Sequence, residues 1–156
     1  MSGKVIEIVG LNELIADMKR AGARVEDVVM GALRNSTRKV QMNVRERAPH
    51  VTGTLQRSVL AEINYPEGIV EVQEKYGEDV EYGRGPTNVS PTVIQRWAKK
   101  KGIPESMVWP IIQTIRRKGT KAHPFFEPGW TSSQEYIADQ FEKVGDKLLS
   151  LLEGRR

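Results

Sequence analysis

The chain has 156 residues, 38% of them hydrophobic and 28% charged, with a mean hydropathy of −0.47, the size and composition expected of one water-soluble domain. No apolar run approaches the ~18 residues that a spanning helix needs, and the lack of Cys removes disulfides, thiol nucleophiles, Cys-ligated zinc and iron–sulfur clusters together. The net charge of +4 is unevenly spread: residues 1–50 carry +3, 51–95 carry −4, 96–122 carry +7 and 123–156 carry −2.

The opening MSGKVIEIVG has no long apolar core of the secretory type, so cytoplasmic synthesis is expected. Val5, Ile6, Ile8 and Val9 form a short β-prone run that Gly10 ends. Leu11, Leu14, Ile15 and Met18 recur at helical spacing until Gly22, which predicts a first helix. From Val25 the positions Val25, Val28, Val29, Ala32, Leu33, Ser36, Val40, Val44 and Ala48 advance in steps of mostly three and four, with Arg and Lys on the other faces. That pattern predicts one long helix ending at Pro49, about as long as the domain is wide.

After Pro49 the period changes from 3.6 to 2. His50 to Thr54 reads as a loop, and Leu55 to Ile63 as extended, with Val59, Ala61 and Ile63 on one face. Asn64-Tyr65-Pro66-Glu67-Gly68 signals a turn, Ile69 to Glu74 a second strand, and Val80 to Tyr82 a third. The expectation is an antiparallel meander, joined by the first strand.

Arg84 to Asn88 reads as a loop, and Ser90-Pro91 as a helix start with Ser as N-cap. Val93, Ile94 and Trp97 give that helix an apolar side until Gly102. Pro104 opens a second helical stretch holding Val108, Trp109, Ile111, Ile112 and Ile115, in which Pro110 predicts a kink or a break. The prolines between Ala122 and Trp130 argue for irregular chain. Thr131-Ser132-Ser133-Gln134 fits a capping box, and Ile137, Phe141, Val144, Leu148 and Leu151 predict a closing amphipathic helix. The fold class expected is α+β: a single domain over 1–156, with a small, mainly antiparallel sheet against a long N-terminal-half helix and a C-terminal helix, and a helical insertion at about 88–119.

Chemistry-bearing motifs are sparse. His50 and His123 each stand beside a proline with no second His at ligand spacing, and no HExxH, GxSxG, SxxK, phosphate loop or GxGxxG occurs. Gly83-Arg84-Gly85 suits a turn better than a phosphate cradle. Glu78, Asp79 and Glu81 form no more of a catalytic pair than an exposed strand edge normally carries. Neither catalysis nor a cofactor nor a metal is expected, although a Glu81–His123 carboxylate–imidazole pair stays open as a hydrolase reading. Phe125, Phe126 and Trp130 lie in a proline-interrupted stretch and either fill the domain's own core or dock in a neighbour, the core being favoured for the two Phe. Trp97 and Trp109 with Lys99, Lys100, Lys101, Arg116, Arg117, Lys118 and Lys121 form either core plus a solvated basic face or a nucleic-acid surface.

Four segments, in order, resemble one family. Arg47 to Ser58 resembles the A-P-x-x-T-G-x-L-x-x-S signature that follows the long helix in the tail-completion, or head–tail joining, proteins of long-tailed bacteriophages. Tyr76 to Gly83 resembles that family's Y-A-x-x-V-E-x-G-T, departing from it at Gly77 and Arg84. The segment with Pro91, Trp97, Ala98 and Gly102 is similar to a helical insertion in one branch, and Lys118 to Pro128 resembles the closing G-T-x-x-x-P-F-x-x-P element.

The resemblance implies a virion structural protein at the neck, made in the host bacterial cytoplasm. It implies a ring of copies, with six expected, that meets a neighbouring neck or connector protein and the tail-tube protein. Genomic DNA would pass through the ring without sequence-specific contact and without any role for a membrane. Assembly residues expected on this basis are Thr52, Gly53, Leu55, Tyr76, Glu81, Gly83, Lys99, Lys100, Lys101, His123, Pro124, Phe125 and Phe126. A head-to-tail ring needs two complementary faces, and the −4 and +7 blocks are candidates for them. The loops at Thr52-Gly53 and Arg84 to Asn88 are expected to order on meeting a partner ring. The alternative reading is a basic nucleic-acid-binding module using 96–122.

Overall fold

The computed structural model describes residues 5–6, 15–16, 25–50 and 53–153. The chain is an α+β fold in which a long helix, α1 (Val25–Arg47), lies across a small antiparallel sheet and a C-terminal helix. Val25, Val29, Ala32, Leu33, Ser36, Thr37, Val40, Asn43 and Val44 form its buried stripe, the stripe that the spacing predicts. Glu26 and Asp27 in its first turn and Arg45 and Arg47 in its last oppose the helix dipole at both ends. At ~1.5 Å per residue α1 is roughly 35 Å long, so its two halves serve different parts of the core.

The sheet contains β1 (Val5–Ile6), β2 (Val59–Asn64) and β3 (Glu67–Val72) in the order β1-β3-β2, all antiparallel. Val5 faces Ile69, and the β2–β3 hairpin runs from Val59↔Val72 to Asn64↔Glu67, leaving only Tyr65 and Pro66 as its turn. The first strand therefore does join the sheet, as expected. The remainder of its apolar run, Ile8 and Val9, lies outside the described residues, as does most of the first predicted helix, of which only Ile15 and Ala16 are described, both helical.

Two strand expectations are corrected. Thr54–Arg57 is a short helix, α2, so that β2 begins only at Val59; the left-handed Gly53 ahead of it turns the chain into a helical turn closed by Arg57 N–H on Gly53 O. Gly77–Tyr82 is helix α3, where a third strand was expected, because Tyr76 to Val80 closes an i→i+4 bond and Glu81 faces inward to meet another segment.

Helices α4 (Pro91–Lys100) and α5 (Val108–Lys118), joined through a 3-10 turn at Glu105–Met107, form a helical hairpin. Pro110 does not break α5. It occupies the first turn, where its missing N–H would have had no intrahelical partner. The same reasoning applies to Pro128, which sits in the first turn of α6 (Phe126–Thr131), a helix where irregular chain was expected. The last helix, α7 (Gln134–Glu153), buries Val144 and Leu148 and half-buries Ile137 and Phe141, as its spacing predicts. The expected capping hydroxyls work differently: Ser133 Oγ donates to Gly129 O and accepts from the buried Asn43 amide of α1, tying α6 to α1.

Among the described residues three apolar clusters result. Ile15, Val25, Val29, Ala32, Val144 and Leu148 join the first half of α1 to α7. Val40, Val44, Ala48, Leu55, Val59, Val70 and Phe125 join its second half to the sheet and to α6. Ile94, Ala98, Val108 and Ile112 form a separate small core inside the α4–α5 hairpin.

Candidate functional site

The residues singled out from sequence converge where α3 meets the segment before α6. Val80 O accepts the backbone N–H of His123 at 2.7 Å. At the next residue, the Glu81 carboxylate accepts three backbone N–H groups: Phe125 at 2.7 Å and Phe126 at 2.8 Å on Oε2, and Glu127 at 3.0 Å on Oε1. Arg84 and Thr120 then exchange backbone bonds, Arg84 N–H to Thr120 O at 3.2 Å and Thr120 N–H to Arg84 O at 2.8 Å. Residues 80–84 and 120–127 are thus laced together over their whole length.

Each part has a local cause. Glu81 is only 6% exposed, and a buried carboxylate must be matched by donors. The first N–H groups of α6 have no intrahelical acceptor, so each satisfies the other's need. Gly83 (φ +72°) and Gly119 (φ +77°) hold left-handed conformations beside the Arg84–Thr120 bridge, where a Cβ on Gly83 would lie 2.6 Å from Thr120 O and one on Gly119 1.9 Å from Arg84 O. No residue with a side chain fits this crossing.

Leu55 and Phe125 share the central cluster, with Val80 and Phe126 packed on it. Gly53 is buried, and Gln56 extends the anchoring by donating to Arg45 O and Ala48 O at the end of α1. Of the expected assembly residues, then, Gly53, Leu55, Glu81 and Phe125 are buried in the chain's own packing, and Gly83 and Phe126 are half-buried. Tyr76, His123, Pro124, Lys99, Lys100 and Lys101 are exposed, while Thr52 lies outside the described residues. The loop from Arg84 to Asn88 is held at both ends in the single chain, by the bridge to Thr120 and by Thr87 N–H on Ile115 O.

The Tyr76 hydroxyl ionises above the ordinary tyrosine value, chiefly through loss of solvent and then through Glu74, with Arg57 opposing. The Glu81 carboxylate is committed to backbone amides, and the exposed His123 ring makes no hydrogen bond to it. Phe126 and Trp130 pack against the central cluster, the self-filling alternative for that aromatic segment. Trp97 and Trp109 are the opposite case. They are 37% and 56% exposed, and with Val93 and Met107 they leave large apolar surface on the hairpin uncovered.

Sequence reasoning missed the pairing of Glu81 with 125–127. Among the described residues no group of three or more His, Asp and Glu could hold a metal ion, and no helix is long and apolar enough to cross a membrane. No family model, curated protein or solved structure matches the chain.

Proposed function

We propose that this chain is a structural virion protein of a long-tailed bacteriophage or prophage, completing the tail or joining it to the head at the neck, and that copies of it close into a ring. The observation that carries this reading is the lacing of 80–84 to 120–127 over a core holding Leu55 and Phe125. Three of the four segments that carry the family resemblance, far apart in sequence, pack into one hydrogen-bonded unit, and the fourth is the hairpin attached to it. Such a unit suits a mechanical part, whose exposed rim keeps its shape while copies are added.

On this reading the working residues are the exposed ones around the rim: Tyr76, His123 and Pro124, with Tyr82, 69% exposed at the end of α3, as an addition. Aromatic side chains held on rigid backbone contribute large contact area at low entropic cost, which suits subunit contacts. The partners are further copies of the chain, with six to a ring expected, the adjoining neck or connector protein, and the tail-tube protein. The particle is the final location, reached from the host cytoplasm.

Native mass spectrometry with negative-stain imaging tests the proposal. Closed rings of one diameter, or incorporation of the tagged chain into purified virions at the neck, are expected. A chain that stays monomeric at high concentration and is also absent from virions of its phage would refute it.

A further inference from the structure

We infer that the α4–α5 hairpin is a binding surface for single-stranded nucleic acid, gripping the sugar–phosphate chain with its basic groups and stacking a base on Trp109. This goes beyond the neck assignment and does not depend on it.

The charge is the first ground. Arg96, Lys99, Lys100, Lys101, Arg116, Arg117, Lys118 and Lys121 are all exposed, against the one acidic residue Glu105. Among the described residues none of the eight is paired with a carboxylate. Like charges held this close raise the energy of the free protein, and a polyanion relieves it while releasing its own counterions.

Placement is the second ground. Lys99 and Lys100 are in the last turn of α4, and Arg116, Arg117 and Lys118 in the last turn of α5. The chain enters the hairpin beside that last turn of α5, where Thr87 N–H bonds Ile115 O. One basic group therefore sits at the base of the hairpin and another toward its far end, separated by about the ~16 Å length of α5. A point anion spans none of this, whereas a strand of several phosphates spans all of it.

The aromatic side chain decides between strands. Trp109 is 56% exposed, and the Arg116 guanidinium lies 5.6 Å from its ring centroid. A cation resting on one side of an indole leaves a flat, electron-rich partner for an unpaired base, whose π-face is hidden inside a duplex. The acidic surface of a second copy is the weaker complement. Of the seven acidic residues in 51–95, Glu81 is buried on three amides and Asp79 already holds Arg84 at 3.1 Å.

The test is fluorescence anisotropy of labelled 20-mer oligothymidylate, a 20-base-pair duplex and polyglutamate, titrated with the full chain across a series of salt concentrations. Oligothymidylate is expected to bind tightest. The triple change Lys99→Gln, Lys100→Gln, Lys101→Gln should weaken it at least tenfold and reduce the log–log salt slope by about 2, at ~0.7 per phosphate contact. Trp109→Ala should weaken it about tenfold with the slope unchanged. Both substitutions lie on exposed positions, and an unchanged thermal midpoint confirms folding. Absence of binding at low salt, equal binding of the duplex with indifference to Trp109→Ala, or equal binding of polyglutamate each overturns the inference. So does a triple variant that loses self-association in sedimentation while binding oligothymidylate as before, which would give the hairpin to a second copy.

Discussion

The carboxylate of Glu81 and the backbone amide of Phe125 meet at 2.7 Å, 44 residues apart in sequence, and both groups are buried. The same carboxylate takes the next two amides as well, so a single side chain fixes where α6 begins. Glu81→Ala leaves three amides short of an acceptor and should lower stability by about 3 kcal/mol. Glu81→Gln can keep its carbonyl oxygen on Phe125 and Phe126 N–H but sets an NH2 against Glu127 N–H, and should recover only part of that. Urea unfolding monitored by tryptophan fluorescence measures both, with a lower midpoint and an unchanged slope expected.

Phe125 is among the largest fully buried side chains, whereas Phe126 beside it is half-buried. Phe125→Ala should cost about 3–5 kcal/mol and Phe126→Ala clearly less. Equal losses would mean that the central cluster does not rest on Phe125, and the same unfolding experiment ranks the two.

Gly83→Ala and Gly119→Ala each combine a left-handed backbone with a clash against backbone across the bridge, and each should cost more than the about 1–3 kcal/mol of backbone strain alone. Gly102 provides the control. Its φ of +68° is similar, but nothing stands near its Cβ position, so Gly102→Ala should cost less than either. Limited proteolysis should cut the first two variants faster at residues 84–88 and 119–123, and leave the Gly102 variant as resistant there as the parent chain.

Tyr65 and Tyr76 both ionise above the ordinary value of 10.0, chiefly because partial loss of solvent disfavours the phenolate, with Glu26 and Glu74 respectively adding to it and Arg57 opposing it at Tyr76. A folded-state value raised above the unfolded one means that the neutral form contributes its full stability below pH 10 and loses it as pH rises through the folded value. Absorbance titration near 295 nm should show two late tyrosines, and Tyr76→Phe should flatten the alkaline loss of stability.

Lys143 donates to Asp139 at 2.6 Å on the outside of α7, and this hydrogen bond is the main cause of the lowered Asp139 pKa. A depressed carboxylate contributes stability above its unfolded value and loses it as pH falls through the folded one. Both groups are exposed to screening solvent. Asp139→Asn should therefore leave the thermal midpoint at neutral pH unchanged, as calorimetry at physiological salt would register.

Legibility in the sequence followed the range of the forces involved. The α1 stripe, the closing helix and the β2–β3 hairpin were readable because their periodicity is local and long. Val80–Tyr82 misled because a short apolar–acidic alternation fits a strand or a helical turn equally, and the deciding contact, Glu81 on 125–127, comes from a distant segment. Pro110 and Pro128 misled for another reason. A proline breaks the middle of a helix but suits its first turn, and which of these applies depends on where the helix starts. Among the site residues, sequence singled out Gly83, Glu81 and Phe125 for contacts between copies, whereas in the folded chain Glu81 and Phe125 are buried against each other and Gly83 turns the backbone beside them. It could not show that their work is holding one another, nor that Trp97 and Trp109, spaced like core residues, would stand exposed.

Arg84 and Thr120 bond each other's backbone where the chain leaves and regains the main body. Everything between them starts and finishes at one spot and keeps its own interior. A few linking residues could therefore replace 85–119 without moving a strand or a helix elsewhere, and an unrelated module with adjacent ends could be spliced in. Relatives of this chain would then be free to gain, lose or exchange the hairpin as a whole cassette while the rest of the architecture stayed the same.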